Sequence, residues 1–328
     1  MSRRVLFVHN YPTRFVQIDL ELLRERYIVD EWYQSKRIPD LLGLAKAIRK
    51  SNLIFGWFAS WHTFFPVLIA RVLQRPTLIV VGGYDTANIP EIHYGSQRGG
   101  VRKLIANSVM RWATHLVTNS RYACSEVKGI GIDPSRVSVV YHGLPADPNS
   151  QYLPKEVLVI TVGNVDRGNL LRKGLELFVR AAALMPQLRF VVIGAWRDDA
   201  IDRLRSIAPF NVTFTGRLSD EELNDYLARA RVYVQASRHE GFGLSVAEAM
   251  LRQCVPVVTR AGALPEVVDD TGIYVEPSPD SIAEGVRRAL DVGDDWGIQA
   301  RDRILTEFPL VHRQEQLYAL IEKMMADG

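Results

Sequence analysis

Twice along this chain, short apolar runs alternate with helical patterns, and a stretch rich in proline, glycine and small polar residues separates the two series. Strand-like runs of the first half fall at residues 5–9, 27–33, 53–58, 77–81 and 115–118, with helical patterns at 39–49 and 101–112. The second half restarts at residues 157–163 and continues with runs at 189–193, 211–215 and 232–236, and helical patterns at 280–290, 296–307 and 314–325 close the chain. Strands that alternate with helices predict a parallel sheet covered on both faces. Continuous Val- and Ile-rich runs, without polar alternation, fit strands buried in such a sheet. Ligands of these sheets sit beyond the carboxyl ends of the strands, so the loops that follow strands are where function is to be sought.

The length, 328 residues with 47% hydrophobic and 23% charged, is enough for two domains with separate cores. Only two cysteines are present, Cys124 and Cys254, far apart in sequence. That excludes a disulfide framework or a Cys-rich zinc pattern and suits a reducing cytosol. Residues 53–70 contain no Asp, Glu, Lys or Arg over eighteen positions, near the minimum for a bilayer span. Gly56, Ser60, His62, Thr63 and Pro66 interrupt the run, which reads instead as a buried strand, a turn and a helix over 64–73. The apolar run at residues 5–8 is too short for a signal peptide. Charge is uneven: residues 1–150 hold 19 Lys and Arg against 11 Asp and Glu, a net +8, and the remainder is net −5. Such an excess favours anionic lipid surfaces or acidic acceptors, and it equally describes ordinary solvated faces.

The stretch from Ser237 to Met250 has the order strand end, glycine-bearing loop, helix start. Gly241 and Gly243 allow the backbone a close approach to a ligand. Unpaired N–H groups at the start of the following helix, from Leu244, together with the positive end of its dipole, attract phosphate. Glu240 in the loop and Glu248 about a turn into the helix flank that position, and carboxylates accept hydrogen bonds from sugar hydroxyls.

Two glutamates eight apart around Gly241-Phe242-Gly243-Leu244 resemble the E-x7-E signature of the family 4 (GT4) retaining glycosyltransferases of the GT-B fold. Residues 254–268, a buried strand followed by Gly262 and Pro265-Glu266, are similar to the family's next block. The resemblance implies an α/β fold of two Rossmann-like domains facing an interdomain cleft. It divides the chain into an acceptor-side domain over 1–145, a linker over 146–154 and a nucleotide-sugar-binding domain over 155–305. A C-terminal helix over 306–328 would cross back to the first domain. It further implies hexosyl transfer with retention of configuration, without a metal or other cofactor, from a nucleotide-sugar co-substrate to a hydroxyl. The implied partners are a nucleotide-diphosphate sugar and a glycan, lipid or small-molecule acceptor, with no nucleic acid. The expected setting is cytoplasmic glycan or cell-envelope biosynthesis. The basic helix bearing Arg98, Arg102, Lys103, Arg111 and Trp112 is compatible with peripheral contact at the inner membrane face.

Carried over by position, Glu248 is assigned to the ribose hydroxyls and Glu240 to the transferred sugar. Lys173 and the N–H groups of Phe242, Gly243 and Leu244 would meet the leaving diphosphate, and Gly241 would lie against the donor. Gly163 and Asn164 begin the loop that resembles the family's G-R-L…K-G block, with Asn164 where the family has arginine, so that Arg167 or Arg172 would supply the second cation. Arg217 and Leu218 fall in a loop expected near the nucleotide base. On the acceptor side, Asp85 follows Gly82-Gly83-Tyr84, with Gly82 where the family often has histidine. Asp85 is either presented to the reacting hydroxyl or, in a tight turn, caps the next helix. Arg14, after a first loop that lacks the family's glycines, and His62 complete the acceptor-side candidates. Two readings compete with transfer: a nucleotide-sugar epimerase of this fold, and a catalytically silent sugar-nucleotide sensor or complex subunit.

Overall fold

The computed structural model describes residues 3–145 and 154–326. Of the expected linker, 146–154, all but Pro154 lies outside the described residues. The chain divides into two compact units, Met1–Gly143 with Val311–Gly328, and Leu144–Leu310.

In the first unit, β1 (Arg4–His9), α1 (Arg14–Arg26), β2 (Ile28–Tyr33), α2 (Leu41–Lys50), β3 (Leu53–Trp57), α3 (Trp61–Val72) and β4 (Thr77–Val81) follow one another. Next come α4 (Gly100–Trp112), β5 (His115–Thr118), α5 (Arg121–Gly129) and β6 (Val137–Val139). The six strands form a parallel sheet in the order β2-β1-β3-β4-β5-β6. Successive side chains of a strand point to opposite faces, and the cores follow that rule. Val5 and Phe7 pack with Val16, Leu20 and Leu23 of α1, whereas Leu6 and Val8 pack with Leu44 and Ile48 of α2. The charge-free stretch at 53–70 is β3 and the first part of α3, which begins at Trp61, three residues earlier than expected, under a Ser60–Thr63 capping box. No helix among the described residues is long and apolar enough to cross a membrane.

The second unit runs β7 (Glu156–Val162), α6 (Arg167–Arg172), α7 (Leu175–Ala183), β8 (Arg189–Ile193), α8 (Ala200–Ile207), β9 (Val212–Gly216) and α9 (Asp220–Arg229). It continues through β10 (Ala230–Gln235), α10 (Leu244–Leu251), β11 (Val255–Val258), α11 (Leu264–Val268), β12 (Ile273–Tyr274), α12 (Pro279–Asp291) and α13 (Asp295–Glu307). Its parallel sheet has the order β12-β11-β10-β7-β8-β9. The chain winds outward in both directions from neighbours β7 and β10, the topological switch point at which such sheets open a crevice for ligands. The capping pattern at Ser219 forms as read: Glu222 donates its N–H to Ser219 Oγ, and its carboxylate accepts from Ser219 N at 2.8 Å.

The last helix, α14 (Leu310–Ala326), belongs to the first unit from Val311 onward. Leu317, Ile321 and Met324 recur at helical spacing and enter the α1 core. Arg313 grips Asp19 of α1 with two donors, at 2.6 and 2.7 Å, both side chains being fully buried.

Candidate functional site

At the switch point of the second unit, the loops after β7 and β10 are tied together by the amide of Arg238, which donates to the carbonyl of Arg172 at 2.8 Å. Glu240, in the second of these loops, is 8% exposed. Its Oε1 lies 3.3 Å from Lys173 Nζ and 3.8 Å from the Arg172 guanidinium, and accepts from Ser237 Oγ and Gln235 Nε2 at 2.9 Å each. Burial pushes this carboxyl up, but Lys173, Arg172 and the Ser237 hydroxyl together outweigh it, and the group is held below the usual glutamate range. It is a carboxylate at neutral pH.

Space for this pairing comes from two glycines. A Cβ on Gly163, at the end of β7, would stand 2.7 Å from Lys173 Cδ, so the lysine chain crosses the strand end only because nothing is there. Gly174, with φ +68°, brings its backbone against the Ala236 carbonyl, which a Cβ would meet at 2.2 Å. The segment between them folds differently from the long loop expected. Residues Arg167–Arg172 form a short helix capped by Asp166, whose side chain accepts from Asn169 N at 2.8 Å. Lys173 is therefore the C-cap of one helix as well as the residue just ahead of another, and the first of these dipoles favours a cation there. Asn169 Oδ1 accepts from Arg172 at 2.7 and 3.0 Å and fixes it beside Glu240. Arg167 is directed elsewhere, paired with Asp199 at 2.5 Å on an exposed surface. Asn164 is exposed, and its carbonyl accepts from Asn169 Nδ2 at 2.9 Å.

Gly243 is the N-cap of α10, and no side chain caps that helix. Phe242 is buried edge-on against Phe308, at 5.3 Å between centroids, which anchors the loop just ahead of the helix start. Gly241 and Leu244 are half-buried on either side, and Glu248 is half-buried on α10. Both glutamates act on Tyr233: burial first, then Glu240 and, more weakly, Glu248 push its phenol well above its usual range. The phenol donates to Gln235 Oε1 at 2.7 Å, and Gln235 Nε2 donates to Ser237 at 2.6 Å. Tyr233, Gln235 and Ser237 alternate along one face of β10 and its extension, a polar ladder that ends on Glu240. Sequence reasoning did not single out these three, although polar residues at alternate positions of an otherwise apolar strand are visible in the sequence. Arg217 and Leu218 leave β9, two strands from β7 and about 10 Å across the sheet. Arg217 is exposed, and Leu218 lines a separate cavity of about 590 Å³ with Thr215 and Tyr226.

In the first unit the candidates gather at the carboxyl ends of β1, β3 and β4. Asp85 is 2% exposed, and its Oδ2 accepts from the amides of Gly82 and Ala59 at 3.2 and 3.3 Å, joining the loops after β4 and β3. Burial pushes its carboxyl up to about 7 against those two amides. A carboxyl this enclosed holds the backbone of two loops; it caps no helix, since the next one, Pro90–Ile92, starts from Ile89 with no side-chain cap. Gly83 has φ +75°. A Cβ on Gly82 would stand 3.0 Å from Asn119 Nδ2, so a side chain here would require that amide to shift. His62 is buried in α3 and not in the loop expected for it; its Nε2 is 2.7 Å from the Trp57 carbonyl, and burial lowers its pKa to about 4. It is a neutral core histidine. Arg14 is the exposed first residue of α1.

Two parallel Rossmann-like sheets in one chain define a fold class. HepE from Anabaena, crystallised with UDP, matches with a TM-score of 0.78 over 98% of this chain and 100% of that one, at 16% identity. Sucrose-phosphate synthase from Thermosynechococcus elongatus matches with 0.77 over the whole of both chains, at 17% identity. The chain has the GT-B fold.

Residues 156–292, within the second unit, match the family described as glycosyl transferases group 1. Among curated relatives, the sulfoquinovosyl transferase SQD2 of Arabidopsis thaliana is 26% identical over 304 residues, covering 84% of this chain and 54% of that protein. The O-antigen chain mannosyltransferase B of Escherichia coli is 34% identical over 137 residues, 38% of this chain and 35% of that one. This chain spans about half the length of the curated relatives it matches.

Proposed function

We propose that this protein is a retaining, metal-independent glycosyltransferase that moves a sugar from a nucleotide-diphosphate donor to an acceptor hydroxyl. The observation that carries this reading is the ionised Glu240 paired with Lys173 and Arg172 at the switch point, beside the uncapped start of α10. Two cations and the start of a helix suit a diphosphate. A carboxylate among them suits sugar hydroxyls and would repel a phosphate, so it divides the crevice into a sugar end and a phosphate end.

In the proposed reaction the bond between the anomeric carbon and the phosphate oxygen breaks as the acceptor oxygen bonds to the same face of that carbon. The acceptor proton passes to the departing phosphate oxygen. Lys173, Arg172 and the amides of Phe242, Gly243 and Leu244 carry the charge that develops on the diphosphate. Glu248 takes the ribose hydroxyls, Gly241 lets the donor approach the backbone, Gly163 makes room for Lys173, and Arg217 and Leu218, two strands away, are the candidates for the base. Asp85 acts by positioning, holding the loops after β3 and β4 in place on the acceptor side.

Support from relatives is of one kind: SQD2 and the mannosyltransferase are named as transferases of sugars, and HepE was crystallised with UDP. The test is thermal stabilisation of the wild type and Glu248→Ala by UDP, GDP, ADP and their sugar conjugates, with and without Mg²⁺. It is followed by NMR of the product's anomeric configuration. A metal-independent shift with one nucleotide, lost in the variant, supports the site, and no shift with any nucleotide would overturn it. An inverted product would remove the retaining mechanism alone.

A further inference from the structure

Next to Asp85, within the first unit, lies a cavity of about 540 Å³ whose polar lining is dominated by Arg37, Arg102, Tyr84 and Ser96, with Trp61 and Ile105 as its apolar wall. We propose that this cavity binds a phosphate-bearing acceptor, its anion held between Arg37 and Arg102. The substrate class rests on the transferase reading; the anion site does not.

Among the described residues neither guanidinium meets a carboxylate. Arg102 donates instead to a neutral phenol, Tyr84 Oη, at 3.2 Å. The stretch of chain around Arg102 is also poor in acids. Between Asp40 and Glu126 the chain carries ten Lys and Arg and only two acids, Asp85 and Glu91, the first of them buried on backbone amides. Arg102 stands in the first turn of α4, where the helix dipole disfavours a cation, and that turn holds no acid. Two arginines that meet no carboxylate among the described residues, one of them in a helix's first turn, are offset when an anion enters, and the planar fork of arginine suits phosphate oxygens.

The cavity is also joined to the acceptor side by its walls. Ala59 gives its amide to Asp85 Oδ2, and Ser96 Oγ donates to the Asp85 carbonyl at 2.5 Å. Phe58, just before Ala59, has φ +66°, a conformation a bulky residue rarely adopts. That turn sets Ala59 on Asp85 and leads Trp61 into the cavity wall. Val101 in the lining and Leu104 next to it on α4 are each 68% exposed, so the phosphate could belong to a free sugar phosphate or to a lipid headgroup. Its chemistry is the same in both.

The test uses the full chain with Arg37→Gln, Arg102→Gln and the double variant, all at exposed positions, each checked for an unchanged melting temperature. Binding of glycerol 1-phosphate is measured by calorimetry, and co-sedimentation with phosphatidylglycerol vesicles is measured against phosphatidylcholine vesicles. UDP-induced stabilisation is followed in parallel. Saturable binding of glycerol phosphate, weakened about 10-fold or more in each variant, supports the site with a soluble source. No binding of glycerol phosphate, but sedimentation with phosphatidylglycerol that the double variant loses, supports it with a lipid source. Binding that the variants leave intact, or none of either probe, overturns it. Loss of nucleotide stabilisation from the wild type would instead count against the donor site, and the phosphate result would still judge this cavity.

Discussion

Lys173 Nζ and Glu240 Oε1 stand 3.3 Å apart, although one follows β7 and the other β10. With both side chains mostly buried, each supplies the other's counter-charge. A diphosphate entering the crevice would take up part of the lysine's charge and release the carboxylate toward the sugar. The pair is thus a resting state that a donor would reorganise, and its two halves have separable effects.

Lys173→Met removes the cation and keeps the length of the chain lying over Gly163. Transfer is expected to fall about 10²- to 10³-fold in kcat/KM, as for loss of a preorganised charge donor. Because Glu240 stays buried with Arg172 as its remaining cation, stability is expected to fall by about 1–3 kcal/mol. Steady-state kinetics beside urea denaturation separates the two effects. An activity loss no larger than the fraction unfolded would remove Lys173 from the chemistry.

Glu240→Gln tests the other half. Its amide oxygen can still accept from Ser237, so the loop should hold its shape, but Lys173 loses its counter-charge. Nucleotide diphosphate is expected to bind at least as tightly as to the wild type, while transfer falls about 10²-fold or more. Calorimetry with the preferred nucleotide, beside a transfer assay, checks both. Parallel losses in binding and transfer would place Glu240 on the diphosphate instead of the sugar.

What was legible in the sequence, and what was not, follows from how far apart the partners lie along the chain. The strand-and-helix alternation and the Ser219 capping box are local patterns, and they form as read. The choice between Arg167 and Arg172 turned on a short helix whose phase Asp166 sets, and on Asp199, more than thirty residues away, which claims Arg167. His62 and Asp85 differ in this respect, although each was placed at a strand end. His62 meets the Trp57 carbonyl, only five residues away at the end of β3, because α3 begins earlier than its pattern suggests. Asp85 takes the Ala59 amide from the turn that follows β3, 26 residues away. Only the fold brings that turn to Asp85. The ladder of Tyr233, Gln235 and Ser237 was visible and passed over, because the loop that follows it carried the stronger motif.

Asp85 makes stability depend on pH in a definite direction. An unfolded aspartate loses its proton near pH 4, whereas burial raises the native group to about 7. Between those values the native state binds the extra proton, so this group's contribution is complete at low pH and is lost as pH rises through about 7. Asp85→Asn lacks that term and can still accept from Gly82 and Ala59 through its amide oxygen. Urea denaturation at pH 5 and pH 8 should show the variant gaining on the wild type with rising pH, by on the order of 3 kcal/mol. A difference that does not change with pH would mean that Asp85 is ionised throughout, with its two amides outweighing burial.

Asp19 and Arg313 lie almost 300 residues apart and hold α14 to α1 as a bidentate, fully buried pair. Asp19→Ala leaves a buried guanidinium without its carboxylate and is expected to cost about 3–5 kcal/mol, read as a lower denaturation midpoint. The double variant Asp19→Leu with Arg313→Met removes both charges and should recover much of that loss, since two apolar side chains replace a pair that was costly to desolvate. Recovery should stop short of the wild type for a specific reason. Arg313 also donates to the carbonyls of Val140 and Tyr141, at 3.0 and 2.9 Å, and the methionine leaves both without that donor. Full recovery would show that those carbonyls find water and that the arginine's role is confined to Asp19. No recovery would show that its hold on the chain leaving β6, and not the ion pair, is what keeps α14 in the first unit.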